Sequence, residues 1–298
     1  MRKVNFFIAG APKSGTSALS EHLKQHPQVC FSNSKETGFF DEFLKGFSGT
    51  EEDYFNYFFT TLTPNHIAIG EGSVWYLYSQ KAFENIKRYN PEAKIIIMLR
   101  NPVDMIYSLH SQLLYNFIED VKDFKQAWLM QEGRKSGNNI PKGCKDPALL
   151  QYSEIGLYSK QTKRLKRIIP AKQTMIILFD DFVNYTEKVY SQVLSFLNLD
   201  QDGRQDFPKI NENKIRRSDK LGRFTKSLGQ FFMYRTFIRK ILHKAGIRIL
   251  PLLDRLNTKK IKRRPLDPEM RSILIEAFRK DILELSTILD RDLSHWLK

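Results

Sequence analysis

A short apolar run, a glycine-bearing loop and a helical pattern follow one another in VNFFIAGAPKSGTSALSEHLKQHP, residues 4–27. The first part of this stretch is almost wholly apolar, which predicts a strand buried on both faces of a parallel sheet. From Thr16 onwards the spacing of Leu19 and Leu23 predicts a helix that ends before Pro27. In this order, the loop N–H groups and the positive end of the helix dipole converge on one point, where we expect an anion. We therefore predict an α/β fold with a P-loop-like central parallel sheet flanked by helices, and a helical C-terminal region.

The glycine loop differs from the loop of ATP-hydrolysing proteins. Gly10 and Gly15 have the Walker A spacing, but Thr16 and Ser17 follow the second glycine and the lysine is Lys13, inside the loop. A Walker A loop places its lysine after the second glycine, where it reaches the β- and γ-phosphates. A lysine at the apex suits a shorter terminal group on a 5′-phosphate, with no metal required. A kinase or NTPase is the competing enzyme class, and the run IILFDD, ending at residues 180–181, is its weak Walker B candidate.

A second pattern, KIIIMLRNPVDMIYSLHSQ, covers residues 94–112. Its apolar start predicts another buried strand, with Arg100 at the carboxyl end. Pro102 fits the first turn of the helix that follows. Ser108 then lies about two turns into that helix, so that it and Arg100 can bind one phosphate through charge-assisted hydrogen bonds.

These two patterns, in this order, resemble the sulfotransferases that use 3′-phosphoadenosine 5′-phosphosulfate (PAPS), and the resemblance covers about residues 4–218. APKSGTSAL resembles the family's 5′-phosphosulfate loop, the second pattern resembles its 3′-phosphate motif, and NENKIRRS resembles a segment that folds over the nucleotide. The resemblance implies PAPS as donor, adenosine 3′,5′-bisphosphate (PAP) as product and no required metal. The donor-binding residues that it implies are Lys13, Ser14, Gly15, Thr16, Ser17, Arg100, Ser108, Arg216 and Arg217.

The resemblance also suggests the catalytic residues. Sulfonate transfer needs an in-line attack, removal of the acceptor proton, and stabilisation of charge on the transferring and leaving oxygens. Lys13 would stabilise the bridging oxygen. The histidine context of the aryl and steroid branch is absent, and KETGFFDEF, residues 35–43, is instead similar to the Glu-x-x-Phe-Phe-Asp element of the heparan-type branch. There the glutamate is the base, so Glu36 is the predicted base.

A further segment, GEGSVWYLYS at residues 70–79, resembles the Gly-Glu-Lys-Thr/Ser-x-x-Tyr segment of the same branch. Gly72 stands where that branch has a lysine, which removes one sulfonate ligand and weakens the case for a highly anionic glycan acceptor. Glu71 is the second candidate for the base. Glu71, Trp75 and Tyr76 are predicted to contact the acceptor.

Length and cysteine usage limit the remaining classes. The 298 residues contain no Gly/Ser or Pro-rich linker, so we expect one domain over 1–298, with a core at 4–218 and a basic helical region at 219–298. Two cysteines are too few for a disulfide framework. No signal h-region is present at the N-terminus, and we expect a cytoplasmic protein. Its predicted acceptor is a small metabolite or a glycoconjugate, as in natural-product or glycan sulfation.

The net charge of +15 is concentrated in one segment, because residues 209–264 contain 18 Lys/Arg and only 3 Asp/Glu. Apolar residues near helical spacing are interleaved with these charges. The segment can be a helix with a solvated basic face, a lid over the acceptor, or a contact of residues 221–264 with an anionic membrane surface. Nucleic-acid binding is the competing function class, but no recognition motif supports it and we expect no nucleic-acid partner.

Overall fold

The computed structural model describes residues 2–42, 46–208, 210, 214–234, 253, 255–261 and 263–298. A five-stranded, wholly parallel sheet forms the centre of the fold, with strand order β2-β3-β1-β4-β5. Its strands are β1 Phe6–Gly10, β2 Val29–Phe31, β3 Ala68–Gly72, β4 Lys94–Leu99 and β5 Thr174–Leu178. A separate antiparallel pair consists of β6 Lys214–Arg216 and β7 Thr258–Lys260.

Helices surround this sheet, which confirms the predicted fold class. The α-helices of the described residues are α1 Thr16–Leu23, α2 Glu51–Phe58, α3 Ala82–Tyr89, α4 Pro102–Tyr115, α5 Phe124–Leu129, α6 Gln131–Lys135, α7 Tyr152–Ile155, α8 Tyr158–Ile168, α9 Phe179–Asn184, α10 Thr186–Leu197, α11 Asp219–Tyr234 and α12 Pro268–Leu289. Short 3₁₀ turns lie at Val74–Tyr76, Pro147–Leu150, Ala171–Gln173 and Ser294–Leu297.

The two central strands are buried on both faces, as their continuous apolar runs predict. In β1, Phe7 packs into the core on one side of the sheet and Phe6 into the core on the other side. In β4 the same alternation sends Ile97 to the first core and Ile96 to the second. A period of two along a strand requires this arrangement when helices cover both faces.

The order of the strands creates a crevice at one edge of the sheet. The chain runs from β1 to β2 and β3 on one side, and then crosses to β4 and β5 on the other side. Loops that leave neighbouring strands in opposite directions separate at such a point, and ligands of α/β proteins bind outside the carboxyl ends of the strands there. The glycine loop follows β1 and Arg100 follows β4, so the fold brings the two predicted phosphate-binding motifs together.

The C-terminal helix closes the core on one face. Asp267 accepts a hydrogen bond from the backbone N–H of Met270 and caps α12. Phe278 is buried, and a Cβ at Gly156 would lie 2.4 Å from its ring, so the glycine allows this close approach. Asp281 accepts a hydrogen bond from the backbone N–H of Ser159, which joins α12 to α8.

Much of the basic segment lies outside the described residues. The described part consists mainly of α11, β6 and β7, and the prediction of a membrane contact through residues 221–264 therefore stays a prediction. Within the part of the chain that the structure describes, no helix is both long and apolar enough to cross a bilayer.

Candidate active site

The glycine loop lies at the carboxyl end of β1 and is shaped by two close contacts. Gly15 has φ +90°, and a Cβ there would lie 3.1 Å from the ring of Phe179. At Gly10, a Cβ would lie 2.5 Å from the Cβ of Leu77. Only glycine fits positions that combine positive φ with such crowding. The structure thus explains why both positions are glycine, whereas the sequence showed only that their spacing matches a Walker A loop.

A pocket of about 450 Å³ opens beside this loop. Most of the predicted site residues line it, namely Lys13, Gly15, Thr16, Ser17, Glu36, Trp75, Arg100 and Ser108. Ser14 is not among its lining residues, because its buried hydroxyl donates to the carbonyl oxygen of Pro12 at 3.2 Å. Ser14 therefore holds the loop in shape, and its neighbours face the pocket.

Arg100 is fixed against the loop from the end of β4. Its guanidinium donates to the carbonyl oxygen of Lys13 at 3.3 Å and lies 4.8 Å from the ring centroid of Phe179. The next residue, Asn101, caps α4 by accepting from the backbone N–H of Val103 at 3.0 Å. The strand, arginine and capped helix follow the order that the sequence predicts, and they bring Arg100 and Ser108 into one pocket.

Arg263 brings a second guanidinium to the same part of the pocket, and no sequence motif pointed to it. It donates to the hydroxyl of Ser108 at 3.0 Å and to that of Ser111 at 3.1 Å. Burial, and then the charge of Arg100, lower the pKa of Arg263. Two guanidiniums that repel each other beside a hydroxyl group form a suitable binding site for a phosphate. The negative charge of the phosphate offsets the repulsion, and its oxygens accept hydrogen bonds from both arginines. The sequence shows this arginine only as one of two neighbouring arginines, 263–264, within the basic segment.

Arg216 and Arg217 do not line the pocket, in contrast to the prediction. Arg216 donates to the carbonyl oxygen of Tyr115 at 2.9 Å, and its guanidinium lies 4.3 Å from that residue's ring centroid. Arg217 is exposed just beyond β6, where its backbone N–H donates to the carbonyl oxygen of Asn257. This hydrogen bond and the cation–π contact fix Arg216 on Tyr115, outside the pocket that Arg263 lines.

Glu36 faces the pocket from the loop that follows β2. Its carboxylate accepts a hydrogen bond from the backbone N–H of Val74 at 3.1 Å, and its φ of 57° is uncommon for a residue with a side chain. The side chain is open to water in the pocket, yet the protein around the pocket encloses it. This partial burial raises the pKa of Glu36 from 4.5 to about 7, against the opposing effect of the Lys35 cation. A carboxylate with such a pKa can take up a proton near neutral pH.

Lys35 is a second residue that sequence reasoning missed. Its ammonium donates to the hydroxyl of Ser17 at 3.0 Å and to that of Thr16 at 3.4 Å. Burial lowers the pKa of Lys35 from 10.5 to about 8, while the neighbouring Glu36 acts in the opposite direction. A lysine from the loop after β2 thus contacts the residues that follow the glycine loop.

Glu71, the second candidate for the base, lies in the protein interior. Four hydroxyl groups donate to its carboxylate, from Tyr54 at 2.5 Å, Ser73 at 2.5 Å, Thr37 at 2.9 Å and Tyr76 at 2.9 Å. Its exposure is 0%, so it has no path to an acceptor. This geometry favours Glu36 as the base.

The predicted acceptor contacts are divided in the same way. Trp75 lines the pocket, whereas Tyr76 is fully buried and points its hydroxyl to Glu71. Of these two aromatic residues, the structure therefore brings Trp75 to the site and leaves Tyr76 in the framework behind it.

The aspartates of the weak Walker B candidate serve another purpose. Asp180 accepts a hydrogen bond from the indole N–H of Trp296 at 3.1 Å, and Asp181 forms an ion pair with Arg291 at 3.0 Å. Both contacts hold the C-terminal turn. Among the described residues, no group of three or more His, Cys, Asp or Glu side chains is placed to hold a metal ion.

The crevice, the lysine-bearing loop, Arg100 and Arg263 together form a cationic pocket at the switch point of an α/β fold, with the chemistry that suits a phosphorylated anion. The profile of the family described as "Sulfotransferase domain" matches residues 3–227. The chain belongs to this family, which confirms the resemblance to PAPS-dependent sulfotransferases.

Individual relatives agree with this assignment. The chain is 26% identical to carbohydrate sulfotransferase 15 of Rattus norvegicus, over 65% of this chain and 44% of that protein. It is 27% identical to heparan sulfate glucosamine 3-O-sulfotransferase 5 of Mus musculus, over 64% of this chain and 52% of that protein. The chain thus spans about half the length of these curated relatives. A crystal structure of a sulfotransferase from Alicyclobacillus acidocaldarius superposes over 100% of both chains, with a TM-score of 0.72 and 26% identity.

Proposed function

We propose that this protein transfers a sulfonate group from PAPS to a hydroxyl or an amine of a small metabolite or glycoconjugate, and releases PAP. The observation that carries this proposal is the meeting of Arg100, Ser108 and Arg263 in the pocket that Lys13 and Glu36 also line. That pocket combines a phosphate site, a glycine loop with a lysine, and a carboxylate that titrates near neutral pH.

The residues present fit the donor. Burial, and then the charge of Arg100, lower the pKa of Arg263, and a 3′-phosphate would offset the repulsion between the two guanidiniums. Lys13 and the N–H groups at the start of α1 would hold the 5′-phosphosulfate, since a helix N-terminus favours negative charge. Both phosphate-bearing ends of PAPS therefore have partners.

The chain's own groups can then perform the transfer. PAPS, when bound, supplies an activated sulfonate. Glu36 removes the proton from the acceptor hydroxyl or amine, and the raised pKa matches that task at neutral pH. Lys13 stabilises the negative charge that develops on the leaving phosphate oxygen. The walls of the pocket include the apolar side chains of Trp75 and Leu113.

The names of the relatives and the lining of the pocket both bear on the acceptor class. The names of the relatives refer to carbohydrate and to heparan sulfate glucosamine, which favours an acceptor that carries a sugar. Trp75 in the pocket can pack against a sugar or an aromatic ring.

The competing function classes have less support. The position of the lysine inside the glycine loop, and the structural contacts of Asp180 and Asp181, disfavour a kinase or NTPase. The family match likewise leaves nucleic-acid binding unsupported.

The first test is thermal unfolding with PAP, and with ATP plus magnesium in parallel. A ligand at about 100 times its dissociation constant adds about 2.7 kcal/mol to the free energy of unfolding, so binding raises the melting temperature. We expect a rise with PAP in the wild type and in Arg216→Ala, and little or none in Arg263→Ala. Stabilisation by ATP and magnesium alone would contradict the proposal and favour phosphoryl transfer.

Turnover is tested separately, by the release of PAP from PAPS in the presence of phenols, amino sugars and oligosaccharides. The expected result is release that depends on one acceptor class. A protein that binds PAP but releases none with any acceptor would be a binding protein of the same fold.

We also propose a cytoplasmic location and a contact of residues 221–264 with an anionic membrane surface, both from the sequence. Flotation with anionic and with neutral vesicles at moderate salt tests the contact. Recovery of the protein with neither vesicle type would contradict it.

A further inference from the structure

The side chain of Lys35 occupies the space in front of Gly72. A Cβ built at position 72 would lie 3.1 Å from the ε-carbon of Lys35. Position 72 is also the place where the similar segment of heparan-type enzymes has a lysine. In this chain the strand supplies no side chain there, and a lysine from the loop after β2 fills the same space.

The ammonium of Lys35 lies at an electrostatically unfavourable place. It reaches the hydroxyls of Thr16 and Ser17, the first two residues of α1. The N-terminus of a helix carries partial positive charge and disfavours a cation. Burial is a second cost, seen in the lowered pKa of Lys35. The attraction of an anion bound at the loop would offset both costs.

The hydrogen bonds of Lys35 also determine what the two hydroxyls can do. An ammonium only donates, so Thr16 and Ser17 act as acceptors towards it. Each hydroxyl then has its own hydrogen left for another acceptor. Because both residues line the pocket, that acceptor can be a phosphate or sulfonate oxygen.

From these contacts we propose that Lys35 is a positioning residue of the 5′-phosphosulfate site. It orients the Thr16 and Ser17 hydroxyls towards the donor, and it replaces the charge that position 72 lacks. The inference rests on the proposed function, because it assumes that the anion at the loop is the 5′-group of PAPS or PAP.

The test is isothermal titration with PAP between about pH 7 and pH 9, where the ligand's phosphates stay fully ionised. The charged groups around Lys35 are Glu36, Lys24 and Glu21, with Glu36 the strongest. Since the pKa of Lys35 is about 8, we expect wild-type affinity to fall several-fold across this range. Lys35→Arg should bind as the wild type does near pH 7 and keep only the smaller pH dependence that comes from deprotonation of Glu36, because a guanidinium stays charged.

Removal of the charge should weaken binding most near pH 7, where Lys35 is protonated, and the difference from the wild type should shrink towards pH 9. We expect Lys35→Ala to bind PAP about 10-fold to 100-fold more weakly near pH 7, the effect of losing charge-assisted hydrogen bonds. The double variant Lys35→Ala with Gly72→Lys should recover much of the loss, because the first change removes the nearer of the two contacts of a Cβ at position 72 and the Phe31 ring at 3.3 Å has to shift only slightly. Lys24→Ala, which breaks an exposed ion pair with Glu21, is the matched control and should bind as the wild type does.

The outcomes separate the inference from the proposed function. Wild-type protein that does not bind PAP at any pH would overturn the proposed function itself. PAP binding by Lys35→Ala at wild-type strength would overturn only the role of Lys35. If Lys35→Ala unfolds, Lys35→Met keeps the aliphatic stem and decides by the same titration. A variant with a lower melting temperature and unchanged binding would show that Lys35 serves stability alone.

Discussion

Glu36 and Glu71 are two carboxylates in neighbouring segments of one sheet edge, and they have opposite surroundings. Burial raises the pKa of both. Glu36 is open to the pocket and accepts one backbone hydrogen bond, whereas Glu71 is fully buried and accepts from four hydroxyls. A raised pKa therefore does not by itself identify a base. Access to the pocket and free acceptor capacity distinguish the two residues.

The buried glutamate nevertheless supports the exposed one. Thr37 follows Glu36 and donates its hydroxyl to Glu71, while its backbone N–H donates to the hydroxyl of Ser73 at 3.1 Å. The backbone N–H of Glu36 donates to the carbonyl oxygen of Gly72 at 2.9 Å. Three contacts thus fix the loop after β2 against β3. Glu71 and its four hydroxyl partners, Tyr54, Ser73, Thr37 and Tyr76, are called the Glu71 cluster below. We infer that this cluster holds Glu36 in its unusual backbone conformation.

The largest expected effect is on turnover in Glu36→Gln. Loss of a general base lowers the rate by about 10²-fold to 10⁴-fold. PAP binding should persist, because Arg100, Arg263 and the glycine loop remain. The measurement pairs initial rates with PAP titration on the same preparation. Near wild-type turnover in this variant would remove Glu36 from its assigned role.

Glu71→Gln should mainly affect stability. In the wild type all four hydroxyls donate to the carboxylate of Glu71. The amide of the variant replaces one carboxylate oxygen by an N–H₂ group, so at least one hydroxyl loses its acceptor. An unsatisfied buried polar group costs about 1–3 kcal/mol. Urea unfolding measures this loss, and turnover per folded molecule should fall far less than in Glu36→Gln. Equal losses of turnover in the two variants would show that the comparison is wrong.

The pH dependence of activity provides the next contrast. Glu36 must be deprotonated to act as a base, so kcat/KM should rise about tenfold per pH unit below its pKa of about 7, and level off above it. For stability the sign is reversed, because a carboxylate whose pKa is raised by folding favours the protonated folded state. This stabilisation is complete below about pH 4.5, the ordinary pKa, and is lost as the pH rises through about 7.

Thermal unfolding checks that sign. The melting temperature of Glu36→Gln, relative to the wild type, should increase between about pH 5 and pH 7.5. The upper limit avoids the titration of Lys35, whose lowered pKa of about 8 adds stability with rising pH. A difference that stays constant across this window would contradict the raised pKa of Glu36.

Local patterns predicted the parts of the site that lie within one motif. The glycine loop, the strand that ends at Arg100 and the loop with Glu36 each had a recognisable order of residues. Arg263 was missed because its contact with Ser108 spans 155 residues, and a basic run does not reveal which of its charges turns inward. Lys35 was missed because the sequence shows only that position 72 has no lysine, and it does not show that the side chain of Lys35 lies against Gly72. The burial of Glu71 depends on Tyr54, 17 residues earlier on α2, which no motif connects to it.

Two tyrosines of α2 provide the smallest test of the comparison. Tyr54 is fully buried and donates to Glu71, whereas Tyr57 is 55% exposed on the same helix. Tyr54→Phe removes one of the four hydroxyls from the Glu71 carboxylate and should cost about 1 kcal/mol of unfolding free energy, the net worth of one hydrogen bond. Tyr57→Phe removes an equal group from an exposed ring and should change the midpoint of urea unfolding very little. If the two variants have equal stability, Glu71 does not depend on its hydroxyl partners, and the Glu71 cluster cannot be what holds Glu36 in place.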